Sequence, residues 1–163
     1  MVDIRRTRWA VLVVTAVVAS GVALTRSHQD LPGPQAVTSS PSAYVGSRWR
    51  LLTVTDGRGA TDVGSAVDAW IELAGDGTFT ANDSINMSTA RFAVTTTGFD
   101  VGGGLTTLAG SRMDDPVLLA AILGIDALTS ATADQPVHVT VVSAERENLT
   151  VEAGGMRLRF ARA

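Results

Sequence analysis

The spacing of apolar and polar positions changes several times along this chain, and each change marks an element. Residues 9–24 are apolar or small, with no charge over 16 positions. A soluble helix has no need to be apolar all round, so this stretch reads as a membrane or translocation signal. At the rise of a helix it spans about 24 Å, and Thr7 and Thr25 extend it toward the hydrocarbon thickness while Arg8 and Arg26 snorkel. From Val45 onward the period drops to two, the signature of strands with one buried face. A first strand covers 49–55, and 56–59 reads as a turn followed by loop to Ala69. Ile71 and Leu73 alternate with polar or small neighbours, as do Phe79 and Ala81. Gly75-Asp76-Gly77 joins the two strands. A three-residue loop sets Leu73 opposite Phe79 and Ile71 opposite Ala81, whereas a two-residue turn would mix the faces. Residues 90–94 and 99–101 form a strand pair around 95–98, and Gly102-Gly103-Gly104 reads as a flexible joint.

The period then lengthens once. Asp115 fits the cap and Pro116 the first position of a helix running to about Leu128. Leu118, Leu119, Ile122 and Ile125 fall at helical spacing and are expected to pack on the sheet. Val137, Val139 and Val141 point one way along the next strand, His138 and Thr140 the other. In the last hairpin, a two-residue Gly154-Gly155 turn pairs Val151 with Leu158 and Leu149 with Phe160 on the core face. The same register sets Glu152 opposite Arg157 and Thr150 opposite Arg159 on the other face, so both faces agree. The expected fold is α+β: six or seven short, mostly antiparallel strands in a sheet curled around or against one helix.

The organisation is a basic head at 1–8, a transmembrane or signal helix at 9–25, a Pro/Ser-rich linker at 26–44 and a domain at 45–163. Arg5, Arg6 and Arg8 precede the apolar segment and Arg26 alone follows it, which keeps the N-terminus cytoplasmic and puts the domain outside. Small residues near Val18-Ala19-Ser20 offer an alternative, a cleaved signal and a secreted domain.

Composition narrows the chemistry. The chain has no Cys and no Lys. Disulfides, thiolate nucleophiles and Cys-metal sites are therefore excluded. From Val45 on, nine Arg against fourteen Asp and Glu leave a net charge of −5. Such a domain suits neither a phosphate backbone nor an anionic lipid surface, and no nucleic-acid partner is expected.

Candidate chemistry is sparse. His138 is the one His of the domain and could serve a Ser-His-Asp arrangement, but no Gly-x-Ser-x-Gly elbow marks a nucleophile, and a surface His on a strand is the simpler account. Asp114 and Asp115 are explained by a helix cap. Glu72, Asp76, Asn82 and Asp83 flank the 71–81 hairpin and could gather around Ca²⁺, yet no dense Asp-x-Asp-x-Asp-Gly loop is present. Gly102-Gly103-Gly104 lacks the strand-to-helix context of a phosphate loop. Asn82-Asp83-Ser84, Asn86-Met87-Ser88 and Asn148-Leu149-Thr150 fit the glycosylation pattern by chance in a chain of bacterial appearance. No catalytic, cofactor-binding or metal-binding residue is assigned, and no cofactor is expected.

The order strand, hairpin, Asn corner, strand pair, helix and three strands, over 47–163, resembles the META/HslJ-like domain. Trp49-Arg50-Leu51 matches its opening Trp-x-Leu. Ser84-Ile85-Asn86 matches its Gly-Cys-Asn corner with Cys replaced by Ile85, and Arg91-Phe92 stands at its Tyr-like position. Thr106-Thr107-Leu108-Ala109-Gly110 matches its Thr-x-Met-Ala-Cys segment with Thr107 kept and Cys replaced by Gly110. Asn148-Leu149-Thr150-Val151 and Arg157-Leu158-Arg159-Phe160 are similar to its final hairpin. The resemblance implies an extracytoplasmic, envelope- or stress-associated domain without catalytic machinery; any role of the family's Cys pair is not carried over. The expected function is a non-enzymatic, membrane-tethered interaction domain whose partner is an envelope protein. The alternative is a carrier whose curled sheet encloses a small hydrophobic ligand.

Overall fold

The computed structural model describes residues 39–107, 109, 114–132 and 134–163. The expected helix at 9–25, the basic head and most of the linker lie outside the described residues. Among the described residues no helix is long and apolar enough to cross a membrane.

Ten strands and one helix follow a short 3-10 turn at Pro41–Ala43: β1 (Ser47–Asp56), β2 (Gly59–Asp62), β3 (Ala69–Leu73), β4 (Thr78–Asp83), β5 (Met87–Val94), β6 (Gly98–Val101), β7 (Leu105–Thr106), α1 (Pro116–Thr129), β8 (Val137–Ala144), β9 (Asn148–Ala153) and β10 (Met156–Arg162). The sheet order is β10-β9-β8-β6-β5-β4-β3-β1-β2, and β10 also pairs with β1. That last pairing corrects the expected architecture. Eight strands close into an antiparallel barrel rather than curling as an open sheet against a helix. Closure leaves no edge in the ring, and only β2 and β7 stand outside it, on β1 and β5. The stretch expected as turn and loop after Asp56 holds β2, which folds back on β1 from Asp56↔Gly59 to Thr53↔Asp62.

Alternation decides which side chains fill the barrel. Trp49, Leu51, Ile71, Leu73, Phe79, Phe99, Leu149, Leu158 and Phe160 are 0 % exposed. Both hairpins have the register expected from their apolar spacing, Leu73↔Phe79 and Ile71↔Ala81 in one, Val151↔Leu158 and Leu149↔Phe160 in the other. Strict alternation fails once in β1. The register shifts between Leu51 and Thr53. This bulge lets Leu51 and Val54 both face inward while Thr53 and Thr55 stay outside.

The two mouths of the barrel are closed differently. At one, α1 lies across the strand ends. Its buried face is Ala121, Gly124, Ile125 and Leu128; of the expected set Ile125 is buried and Leu118 packs partly buried against the core, while Leu119 and Ile122 are not in it. Small residues win because the axis comes close: a Cβ on Gly124 would sit 2.9 Å from Leu158 Cδ2 and 3.0 Å from Val54 Cγ2. Asp115 caps the helix as expected, its Oδ1 accepting from the Val117 amide at 2.8 Å. At the opposite mouth, Tyr44 turns inward. Its ring lies 6.0 Å from that of Phe99, its hydroxyl donates to Gly98 O at 3.2 Å, and the Trp49 indole donates to its carbonyl at 3.0 Å. Ser39 Oγ accepts from the Ala144 amide at 3.0 Å. Residues 39–44 are thus built into the barrel instead of belonging to the linker. The Gly102-Gly103-Gly104 stretch is also more than a loose joint, since a Cβ on Gly104 would strike the Thr89 carbonyl and lie 2.8 Å from Ala90 Cβ.

Candidate functional site

The most organised polar constellation on the barrel wall is centred on His138. Strand alternation sends His138 outward on β8, and the β6–β8 register sets it opposite Asp100. The β5–β6 turn, closed by the Thr95 amide on Gly98 O at 2.9 Å, brings Thr97 to its other side. Asp100 Oδ1 lies 2.6 Å from His138 Nδ1, and Thr97 Oγ1 lies 3.1 Å from His138 Nε2. With Nδ1 on the carboxylate, Nε2 faces the hydroxyl, so the connectivity is that of an acid–imidazole–hydroxyl relay. The surroundings are not those of a catalytic cleft. The His138 and Asp100 side chains are 48 % and 38 % exposed on the convex outside of the barrel. Water there screens the pair and offers a developing charge no preorganised environment. The arrangement does hold the β5–β6 turn against β8. Gly98 is needed for that approach, because a Cβ there would run into the Val139 carbonyl and lie 2.8 Å from the Val141 amide.

The other residues weighed from the sequence are dispersed. Glu72 pairs with Arg48 on the outer face at 2.8 Å, and that guanidinium lies 4.0 Å over the Trp70 ring. Asp76 sits in the β3–β4 turn and accepts from the Thr78 amide at 2.9 Å. That bond, with the Thr78 hydroxyl and the nearby Arg91, holds its carboxyl below the usual carboxylate range. Asn82 and Asp83 form the corner after β4, where Ser84 takes φ 80°. Asn82 Oδ1 accepts from the Ser84 amide at 3.0 Å, and Asp83 Oδ1 accepts from Ile85 and Asn86 at 2.7 and 2.5 Å. Asn86 Oδ1 in turn accepts from the Ala109 amide at 2.7 Å, while the Met87 amide donates to Thr107 Oγ1 at 2.9 Å. The corner is therefore a backbone clamp for the segment after β7. Among the described residues no three His, Asp or Glu side chains gather as metal ligands.

No family model matches the chain, and no curated protein matches it. Its fold does match solved structures. A protein from Burkholderia xenovorans, solved by NMR, is 18 % identical over 81 % of this chain and 96 % of that one, with a TM-score of 0.51. A second protein solved by NMR is 10 % identical over 76 % of this chain and 94 % of that one, with a TM-score of 0.50. Likeness at this level of identity establishes a shared fold and nothing of chemistry.

Proposed function

We propose that the chain is a META/HslJ-like barrel held outside the cytoplasm by residues 9–25, acting without catalysis as an interaction domain that meets its envelope partner with its outer surface. The observation that carries the choice of surface is the filled interior. Among the described residues, nine large inward side chains from Trp49 to Phe160 are 0 % exposed, the dense packing of a protein interior rather than the lining of a ligand cavity. This favours outer-surface recognition over the carrier alternative, which needs an enclosed space of several hundred Å³, on the order of 300 or more. Two positions behind the family resemblance lend further support. Asn86 and Thr107, separated by the whole of β5 to β7, serve one clamp: Asn86 holds the Ala109 amide and Thr107 the Met87 amide. Ile85, which replaces one family Cys, lies in the same corner.

The test is intact mass of the native protein in membrane and culture fractions, followed by titration of the full chain with an apolar fluorophore. Full-length mass confined to the membrane, with no saturable one-to-one probe uptake, is the expected result. A mature form starting near Ser20 in the medium overturns the tether. Stoichiometric uptake of the fluorophore overturns the filled barrel.

A further inference from the structure

The barrel seam carries a polar groove that neither the relay nor the clamp uses. On the outer face, β10 runs between β1 and β9, and the registers set Arg159 between Thr53 and Thr150, and Arg157 between Thr55 and Glu152. Alternate residues of one strand are about 6.6 Å apart on the same face, so both guanidinium groups overhang one surface. Arg157 is neutralised there, since Glu152 Oε1 accepts from its Nη2 at 2.6 Å and from its Nε at 2.8 Å. Arg159 has no ion pair and no side-chain hydrogen bond among the described residues, and its cross-strand neighbours are threonines, which cannot balance its charge. Thr53, Thr55, Thr150, Arg157 and Arg159 line an open hollow of about 340 Å³. Thr55 and Arg157 also border a second hollow of about 560 Å³, whose further lining includes Ala153, Gly155 and Met156.

From this we infer that the groove binds a phosphate group carried on an otherwise uncharged molecule. Arg159 offers a fork of N–H donors for two oxygens, and a threonine hydroxyl stands on either side for the others. Donors from three directions suit a tetrahedral anion better than a planar carboxylate with two oxygens. The apolar lining at Ala153 and Met156 takes the body of the ligand. Asp56 borders that second hollow and repels a second anionic group. The site is placed where an acidic domain leaves a positive charge uncompensated, and the flanking hydroxyls add donors without removing that charge.

The experiment is an amide NMR titration of the full chain in a maltoside detergent, at constant ionic strength set with chloride. The probes are inorganic phosphate, glycerol 3-phosphate, and phosphatidylglycerol against phosphatidylcholine mixed into the detergent micelles. Saturable shifts at Thr53, Thr150 and Arg159 are expected, with midpoints in the millimolar range, and glycerol 3-phosphate binds several-fold more tightly than phosphate. Arg159→Gln weakens binding at least fivefold, whereas Arg58→Gln in the exposed β1–β2 turn leaves it unchanged. Response to the soluble ester identifies a soluble ligand, and response to micellar phosphatidylglycerol alone identifies a lipid headgroup. Shifts that survive Arg159→Gln, or no saturable shift with any probe, overturn the proposal. Exposure of Arg159 keeps the variant folded, and an unchanged unfolding temperature verifies this.

Discussion

Replacing Arg162 probes how the barrel is locked. At the end of β10 its Nε donates to Arg146 O at 2.5 Å and its Nη2 to Ala43 O at 3.0 Å, and its Nη1 meets the Ser47 hydroxyl. The guanidinium also lies 4.6 Å over the Trp49 ring. One side chain therefore ties the β8–β9 turn, the 3-10 turn and the start of β1 to the last strand. The group is half-buried, so each hydrogen bond is taken at about 0.5–1 kcal/mol, below the value for a fully desolvated charged donor. The cation–π contact adds about 0.5–1 kcal/mol. Arg162→Ala is expected to cost about 2–4 kcal/mol in all. For a domain of this size each kcal/mol moves Tm by about 4 °C, so the loss is roughly 8–16 °C. Arg162→Lys keeps the charge over Trp49 but cannot reach three acceptors, and should lose about half as much. Thermal unfolding measures both. In hydrogen exchange, β10 amides facing β1 should lose protection before those facing β9. If Arg162→Ala lowers Tm by less than about 2 °C, or Arg162→Lys matches the native protein, the fork is not what locks the seam.

Removing the Asp115 cap by Asp115→Ala is expected to cost about 1 kcal/mol, read by chemical denaturation, because two amides at the start of α1 lose their acceptor. Tyr44→Phe should cost only about 0.5–1 kcal/mol, since Gly98 O still accepts from the Thr95 amide; a larger loss would mean the hydroxyl does more than donate to that carbonyl. Gly98→Ala is expected to be the most damaging single methyl in the barrel, because the added carbon meets backbone on β8 that cannot rotate away; an unperturbed spectrum would refute the close approach. Asp76 has a lowered folded-state pKa, so its contribution to stability is complete above the unfolded value and is lost as pH falls through the folded one. The Thr78 amide resonance should accordingly titrate with a midpoint below the ordinary aspartate range, and a midpoint within or above that range would refute the turn bond.

What could be read from sequence was local. The two hairpins announce themselves because a Gly-rich turn and two alternating flanks sit within about fifteen residues, and only one register keeps both faces consistent. The α1 cap is visible for the same reason, as Asp115-Pro116 is a two-residue signal. Closure was not visible. β1 and β10 both alternate like any half-buried strand, and nothing in Trp49 or Phe160 says that they end up two residues apart in register, at Arg162 and Leu51. β2, Gly-Ala-Thr-Asp, has no apolar alternation because it lies outside the ring and buries none of its side chains fully. On the inward face of α1 the spacing of large residues reveals Ile125 but not Gly124, which close packing on Leu158 and Val54 demands. His138 was seen as an outward strand residue. Its partners Asp100 and Thr97 were not, since they reach it through a pairing of β6 and β8 that spans about forty positions. Arg159 and its threonines were visible only in part: the β9 neighbour follows from the hairpin, the β1 neighbour from closure.

The β1–β10 pairing has a consequence for how the chain is made. Roughly a hundred residues separate Leu51 from its partner Phe160, so the ring is joined by the contact with the costliest loop entropy. Until β10 leaves the ribosome or translocon, β1 and β9 each present an unsatisfied row of amides and carbonyls beside a half-formed apolar lumen. A nascent chain in that state can pair with another copy as readily as with itself. The strand of the ring that comes latest in sequence thus converts a sticky intermediate into a sealed cylinder, and the interval before it pairs is when association between copies competes most strongly with closure.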